Sequence, residues 1–218
     1  ERPLRIVFLL TLSGRAVRQV KRLFKRIYRP EHYYFIHIDA RQNFMYRELL
    51  PLSTVYSNVR FVRRRSATIW GGTSLLGVIV NSIRELLDRH SDWQWDYLQN
   101  LSESDYPIRS IEELTAFLSR HRGRTFLGSP KNLRTDKFIA GQGYNYTFVE
   151  CEYRMWKVGE RRIPDGIRIR GGSDWVILHR TFAEYVVRGS DELIEGLRAF
   201  YKYTLMAPES FFHVLLGN

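Results

Sequence analysis

Short unbroken apolar runs alternate along this chain with stretches whose apolar residues recur at helical spacing. The first run lies within Leu4 to Leu12, where Ile6-Val7-Phe8-Leu9-Leu10 carries no polar residue on either face. A strand covered on both sides reads this way, as strands of parallel sheets do. Ser13-Gly14 breaks the run, and Val17, Val20, Phe24 and then Ile27 or Tyr28 follow with the period of an amphipathic helix. Tyr33-Tyr34-Phe35-Ile36-His37-Ile38-Asp39 predicts a second strand, ending on an acid. Strand, helix and strand form a βαβ unit whose right-handed crossover sets both strand ends on one edge of the sheet. Ser13, Gly14 and Asp39 are therefore expected in one crevice, where open α/β sheets bind ligands.

The pattern continues with Val59-Arg60-Phe61-Val62 as a third strand, then a helix from about Ser74 to His90 with Leu75, Leu76, Ile79, Ile83, Leu86 and Leu87 inward. Asp96 to Leu101 predicts a central strand running into Ser102-Glu103-Ser104-Asp105-Tyr106-Pro107, the loop that again sets acids after a strand. Ser110 with Glu113 forms a capping box ahead of Leu114, Phe117 and Leu118. Thr125 to Leu127 is a brief strand, and Ser129 to Arg170 weakens into a polar, aromatic-rich connection. Val176-Ile177-Leu178 resumes strand character, with helices expected near Thr181 to Val187 and Asp191 to Tyr203. The whole predicts an α/β domain over residues 1–218, a mostly parallel sheet flanked by helices.

Gly171-Gly172-Ser173-Asp174-Trp175 opens that last strand. Paired glycines let a backbone pass close to a neighbour or a ligand, and the strand behind would hold Asp174 at the lip of the sheet. In Ala207-Pro208-Glu209-Ser210-Phe211-Phe212, proline suits the first position of a helix and Glu209 falls in its first turn. The helix dipole would keep Glu209 ionised, as a base must be. Each motif also has a plain structural reading: a turn for the glycines, a charge complementing the dipole for Glu209. Trp70, in Ala67-Thr68-Ile69-Trp70-Gly71-Gly72, is either a core aromatic or a ligand platform, and His37 is expected to be a satisfied structural histidine. Asp105 is either a site acid or the cap of the turn before Pro107.

Composition narrows the chemistry. Hydrophobic residues at 44% and aromatics at 14% exclude a disordered chain. The net charge of +11 implies an acidic partner. Its basic residues are spread out, however, with Arg15, Arg18, Lys21, Arg22, Lys25 and Arg26 on one helix, so a solvated face is expected there and no nucleic-acid partner. Cys151 is the single cysteine, which excludes an internal disulfide and a cysteine-built zinc cage, and it is expected to be a small buried residue. No apolar run is long enough to span a bilayer. The chain opens on Glu1-Arg2-Pro3 and stops inside an apolar helical pattern, so the expectation is a C-terminally incomplete piece of something longer.

Dinucleotide and P-loop glycine strings, paired zinc histidines and a Gly-x-Ser-x-Gly elbow are all absent. What remains, acids at the strand ends of an α/β sheet, suits a nucleotide-linked sugar. One carboxylate accepts the imide N–H of uracil or sugar hydroxyls, and another deprotonates an attacking hydroxyl. Asp92-Trp93-Gln94-Trp95-Asp96 lacks Asp-x-Asp spacing, and Glu103 and Asp105 precede a proline turn, so no divalent metal is expected. A cation must still neutralise the leaving diphosphate.

Taken in order, Ala67-Thr68-Ile69-Trp70-Gly71-Gly72, Asn100-Leu101-Ser102 with Asp105-Tyr106-Pro107-Ile108-Arg109, Arg161-Arg162-Ile163-Pro164, Gly171 to Trp175 and Pro208 to Phe212 resemble the peptide O-xylosyltransferases. These share a glycosyltransferase family with the core 2 and I-branching β-1,6-N-acetylglucosaminyltransferases. The resemblance implies a GT-A-like fold, UDP-α-xylose as donor, a serine of an acidic Ser-Gly-containing core protein as acceptor, and metal-independent inversion to a β-xyloside that starts a glycosaminoglycan chain. It implies that Thr11 or Leu12 and Asp39 contact the uracil, that Thr68, Ile69 and Trp70 line the nucleotide, and that Asp174 and Trp175 meet the xylose and the acceptor. Glu209 would be the base with Asp174 as the alternative, and Asp105 a weaker donor contact. The family's diphosphate clamp, an arginine-lysine pair, lies beyond the Glu-Ser-Phe-Phe segment, so residues 1–218 alone are expected to transfer little. A Golgi lumenal protein, anchored outside this chain, is implied, and the sequons at Asn100 and Asn145 agree with that route. The rival expectations are a β-1,6-N-acetylglucosaminyltransferase and an inactive nucleotide-sugar or acidic-glycan binding module.

Overall fold

The computed structural model describes residues 2–129 and 141–218. Their contacts divide the chain into two compact units. The first holds residues 1–67, 78–126 and 177–187, the second residues 68–77, 127–176 and 188–218.

The first unit is built on a six-stranded sheet. Its strands are β1 (Ile6–Leu12), β2 (Tyr33–Ile38), β3 (Val59–Phe61), β4 (Tyr97–Leu101), β5 (Phe126–Leu127) and β8 (Val176–His179), in the order β3-β2-β1-β4-β8-β5. β1 is parallel to β2 and β4, and β2 to β3, whereas β8 runs antiparallel to β4 with Leu98 opposite Leu178. The unbroken apolar run of β1 is explained by its central place, since Ile6 through Leu10 are all buried. Val20, Leu23, Phe24 and Ile27 of α1 (Val17–Ile27) pack with Phe8, Leu10, Tyr34 and Ile36 of the sheet and with Ile111 and Leu118 of α5 (Ile111–Arg120). Each such side chain contributes roughly 1.5–3 kcal/mol by leaving water. The predicted capping box of α5 forms: Ser110 accepts the Glu113 N–H at 3.1 Å and Glu113 accepts the Ser110 N–H at 2.9 Å. α4 (Thr73–Arg89) buries Ile79, Ile83 and Leu86 as its period predicts. α2 (Asn43–Leu49) and α3 (Leu52–Val55) were not expected, because each is too short to show a period. The basic residues of α1 are solvent-facing, as expected. At the N-terminal end of β4, Asp96 pairs with Arg2 at 2.9 Å and Asp92 with Arg60 at 2.6 Å, so both acids of the Asp92–Asp96 stretch are held by arginines.

The second unit corrects the reading of Ser129 to Arg170 as mere connection. β6 (Tyr146–Cys151) and β7 (Arg154–Glu160) form an antiparallel hairpin whose two-residue turn, Glu152-Tyr153, has φ of 48° and 66°. Primed turns of this kind normally carry Asn or Gly, and Trp156 and Val158 stay exposed on β7, so neither turn chemistry nor alternation announced the hairpin. Residues 130–140 of that expected connection lie outside the described residues. Cys151, expected buried, is exposed on β6 because a two-stranded sheet leaves one face to solvent. α6 (Arg180–Arg188) joins the first unit through residue 187, and the second unit adds α7 (Glu192–Tyr201), a 3-10 turn (Ala207–Glu209) and α8 (Phe211–Gly217). Arg161 staples this unit, donating to the carbonyls of Tyr144 at 3.0 Å and Phe200 at 2.8 Å and to Thr204 Oγ1 at 2.8 Å while lying 3.7 Å from the Phe200 ring centre.

Candidate active site

In the first unit the ends of β1 and β2 meet as the βαβ rule requires: the Asp39 N–H donates to the Leu12 carbonyl at 2.9 Å. Asp39 is 2% exposed. Its carboxylate accepts the Arg41 backbone N–H at 3.0 Å and the Arg41 guanidinium through both oxygens, at 2.8 and 2.7 Å. A fork of this kind fixes the carboxylate plane. Leu12 has its side chain in the core and its carbonyl occupied, so of the two uracil candidates it is corrected to a core residue. Thr11 remains half-buried, its hydroxyl donating to the Leu101 carbonyl at 3.2 Å. Gly14 turns with φ +97°, a conformation costly for any residue with a Cβ. His37 accepts the Ser66 N–H at 3.0 Å, and burial lowers its pKa to about 4, which keeps it neutral and structural as expected.

The loop after β4 splits its two acids. Asp105 accepts the Ser102 N–H at 2.6 Å and its hydroxyl at 3.0 Å, both on one carboxylate oxygen, which is turn-capping geometry. Of its two readings, the structure shows Asp105 as the cap. Glu103 is buried against the loop that follows β1. The Asn100 sequon is corrected too: Asn100 is 3% exposed in β4, paired with Leu9, and a central strand has no room for a glycan. Asn145 is exposed at the start of the hairpin.

In the second unit, Trp70 is 84% exposed, which removes the core reading. Its loop is pinned behind it. The Gly71 carbonyl accepts the Met206 N–H at 2.9 Å, and Glu150 of β6 accepts the Ser74 N–H at 2.9 Å. Thr68 and Ile69 are half-buried beside it.

Gly172 explains the glycine pair. A Cβ there would lie 2.1 Å from the Gly128 carbonyl oxygen, and its own N–H donates to the Glu209 carbonyl at 2.8 Å. The segment carrying Asp174 and the segment carrying Glu209 are thus tied backbone to backbone. Ser210 is buried with its hydroxyl 2.8 Å from the Tyr201 hydroxyl, which fixes the residue next to Glu209. Both carboxylates are half-buried, and Trp175, 42% exposed, follows Asp174.

Glu209 does not sit in the first turn of an α-helix. It closes the 3-10 turn, and α8 begins two residues later, so no dipole keeps its pKa low. The shift runs the other way: burial raises it, Asp174 raises it further, and a hydrogen bond from the Gln142 amide to Oε2 at 2.8 Å only partly offsets them. A carboxylate whose proton affinity is raised in this manner is a better base than an ordinary glutamate. Sequence reasoning missed Arg41, Gln142 and Glu150 altogether and weighed Glu103 only as a metal ligand. Position after a strand end marked Arg41 and Glu103, while nothing local marked Gln142. Among the described residues no three of His, Cys, Asp or Glu converge as a metal site would require, and no helix is long and apolar enough to cross a membrane.

A mostly parallel α/β sheet with acids after its strands and a carboxylate pair on loops is what the glycosyltransferase resemblance implied, and the fold is consistent with GT-A. Residues 6–218 match the model of the Core-2/I-Branching enzyme family, and the chain belongs to that family. Within it, the chain is 50% identical over 216 residues to xylosyltransferase 1 of Homo sapiens, covering 99% of this chain and 22% of that protein. It is likewise 50% identical over 216 residues to xylosyltransferase 1 of Pan troglodytes, covering 99% of this chain and 23% of that protein. To xylosyltransferase oxt of Drosophila melanogaster it is 49% identical over 216 residues, covering 98% of this chain and 24% of that protein. The chain therefore spans about a quarter of the length of these relatives.

Proposed function

We propose that this chain belongs to a peptide O-xylosyltransferase that moves xylose from UDP-α-xylose to a serine hydroxyl of an acidic core protein, starting a glycosaminoglycan chain. The observation that carries the reading is the Glu209–Asp174 carboxylate pair, with Glu209 raised in proton affinity, in a chain half identical to proteins named xylosyltransferase. In a single inverting displacement, serine Oγ forms a bond to the anomeric carbon while the bond to UDP breaks and its electron pair leaves with the diphosphate. Glu209 takes the serine proton, its Oε2 steadied by Gln142. Asp174 holds the sugar and keeps Glu209 basic. Thr11 and Asp39 hold the uracil, Thr68, Ile69 and Trp70 cover the nucleotide, and the reaction runs without a metal, the diphosphate being met by basic side chains. Xylose lacks a hydroxymethyl group, and on this reading Trp175, next to Asp174, is the residue that excludes one. We place the protein in the secretory pathway, in the Golgi lumen, with UDP-xylose and an acidic Ser-Gly core protein as partners.

The test is transfer to a Ser-Gly peptide by the complete protein, offered UDP-xylose and UDP-N-acetylglucosamine in turn. Xylose is expected to be used at least tenfold better, since a pocket shaped to exclude added bulk discriminates by about that much. Use of the N-acetylglucosamine donor instead would make the protein a branching enzyme like those after which its family is named. Glu209→Gln is expected to cut kcat by roughly 10²–10⁴, the usual worth of a general base. Full activity in Glu209→Gln together with inactivity of Asp174→Asn would move the base to Asp174. Absence of turnover with either donor in the wild type would leave a binding module.

A further inference from the structure

Glu103 is an acid for which the proposed reaction has no use, yet it is 4% exposed and fully engaged. Its carboxylate accepts the backbone N–H of Ser13 at 2.9 Å, that of Arg15 at 3.2 Å, and the Ser13 hydroxyl. Burial pushes its pKa up, but these donors outweigh burial and hold it below the usual carboxylate range. Among the described residues no lysine or arginine side chain is paired with it. A buried carboxylate held by two N–H groups and a hydroxyl of one loop in turn fixes the geometry of that loop.

The same loop also lies against a second segment. Gly14 lies so close to Gln42 that a Cβ on it would fall 2.2 Å from Gln42 Cγ. Gln42 belongs to the turn of Asp39 and Arg41, its N–H donating to the Asp39 carbonyl at 2.9 Å. The segment after β1 is thus bonded to Glu103 and lies against the turn carrying the Asp39–Arg41 fork.

We propose that Glu103 is a positioning residue for the donor: it locks Ser13–Arg15 against the Asp39–Gln42 turn, so the edge that meets the uridine is formed before UDP-xylose arrives. The proposal rests on the reading that Thr11 and Asp39 meet the uracil. A preformed edge spares the ligand the cost of ordering the loop, so loss of the clamp weakens donor binding and leaves turnover alone.

Glu103→Ala, Glu103→Gln and Ser13→Ala are compared in the complete protein, by calorimetric titration with UDP and by steady-state kinetics. Glu103→Ala is expected to weaken UDP binding and raise the donor KM about tenfold, with kcat and acceptor-peptide KM within about twofold. Glu103→Gln falls between it and the wild type, because one amide carbonyl still accepts an N–H. Ser13→Ala is expected to weaken UDP binding about two- to threefold, since the two backbone donors remain. Where Glu103→Ala fails to fold, as circular dichroism reports, the other two variants decide. Unchanged UDP affinity in the folded variants overturns the proposal. So does an equal fall in kcat and affinity with a lowered Tm, the mark of a merely structural acid. A wild-type protein that does not bind UDP at all overturns the site reading itself, and the clamp with it.

Discussion

Asp39 and Glu103, in the first unit, are buried and each is held by several donors at fixed angles, whereas Glu209, in the second, is half-buried, pressed by a neighbouring acid and steadied by one neutral amide. Both arrangements use carboxylates, and on the proposed function they differ in what the charge is for. A group that recognises a base or fixes a loop serves best when permanently charged and immobile. A group that must accept a proton serves best when its charged form is kept uncomfortable. The elements follow the same division. Asp39 and Glu103 follow strands of a packed sheet, while Asp174 and Glu209 sit on irregular backbone tied together through Gly172.

Isosteric exchanges break this comparison apart, and Glu209→Gln, at two or more orders of magnitude in kcat, is the largest. It also carries a stability sign. A glutamate whose pKa is raised by folding favours its protonated form in the fold, so its contribution is present at low pH and lost as pH rises through that raised pKa. At neutral pH the charged Glu209 therefore costs stability, and Glu209→Gln is expected to melt no lower than the wild type. Asp39→Asn should do the reverse. It breaks the fork with Arg41, weakens UDP binding at least tenfold, and costs about 1–3 kcal/mol in denaturant unfolding, the penalty for a buried group left short of its partner. The smallest expected effect is the most diagnostic. Asp174→Asn removes a charge that raises the proton affinity of Glu209, so the acid limb of the pH–rate profile should move to lower pH on top of any loss in rate. An acid limb that stays in place would mean that the two carboxylates do not titrate as neighbours.

Much of the fold was legible before any coordinates. β1, α1, β2, α4, β4 and α5 were expected within a residue or two of their bounds, because each is long or apolar enough for burial to print its period on the chain. The paired loops after β1 and β2 followed from handedness alone. The β6–β7 hairpin did not follow, because Glu152-Tyr153 takes positive φ without the usual residues and its strands leave apolar side chains in solvent.

The site residues divide along the same line. Sequence by itself determined which acids and aromatics follow strands and glycines, and so nominated Asp39, Trp70, Asp174 and Glu209. Tertiary structure alone decided what surrounds each one. It put Leu12 in the core, turned Asp105 into a cap, buried Asn100 and exposed Cys151. It also reversed the expected shift at Glu209, because a carboxylate's proton affinity is set by how much water it loses and which charges face it. Those neighbours, Gln142 and Asp174, are brought to Glu209 from far along the chain, where local pattern cannot see them.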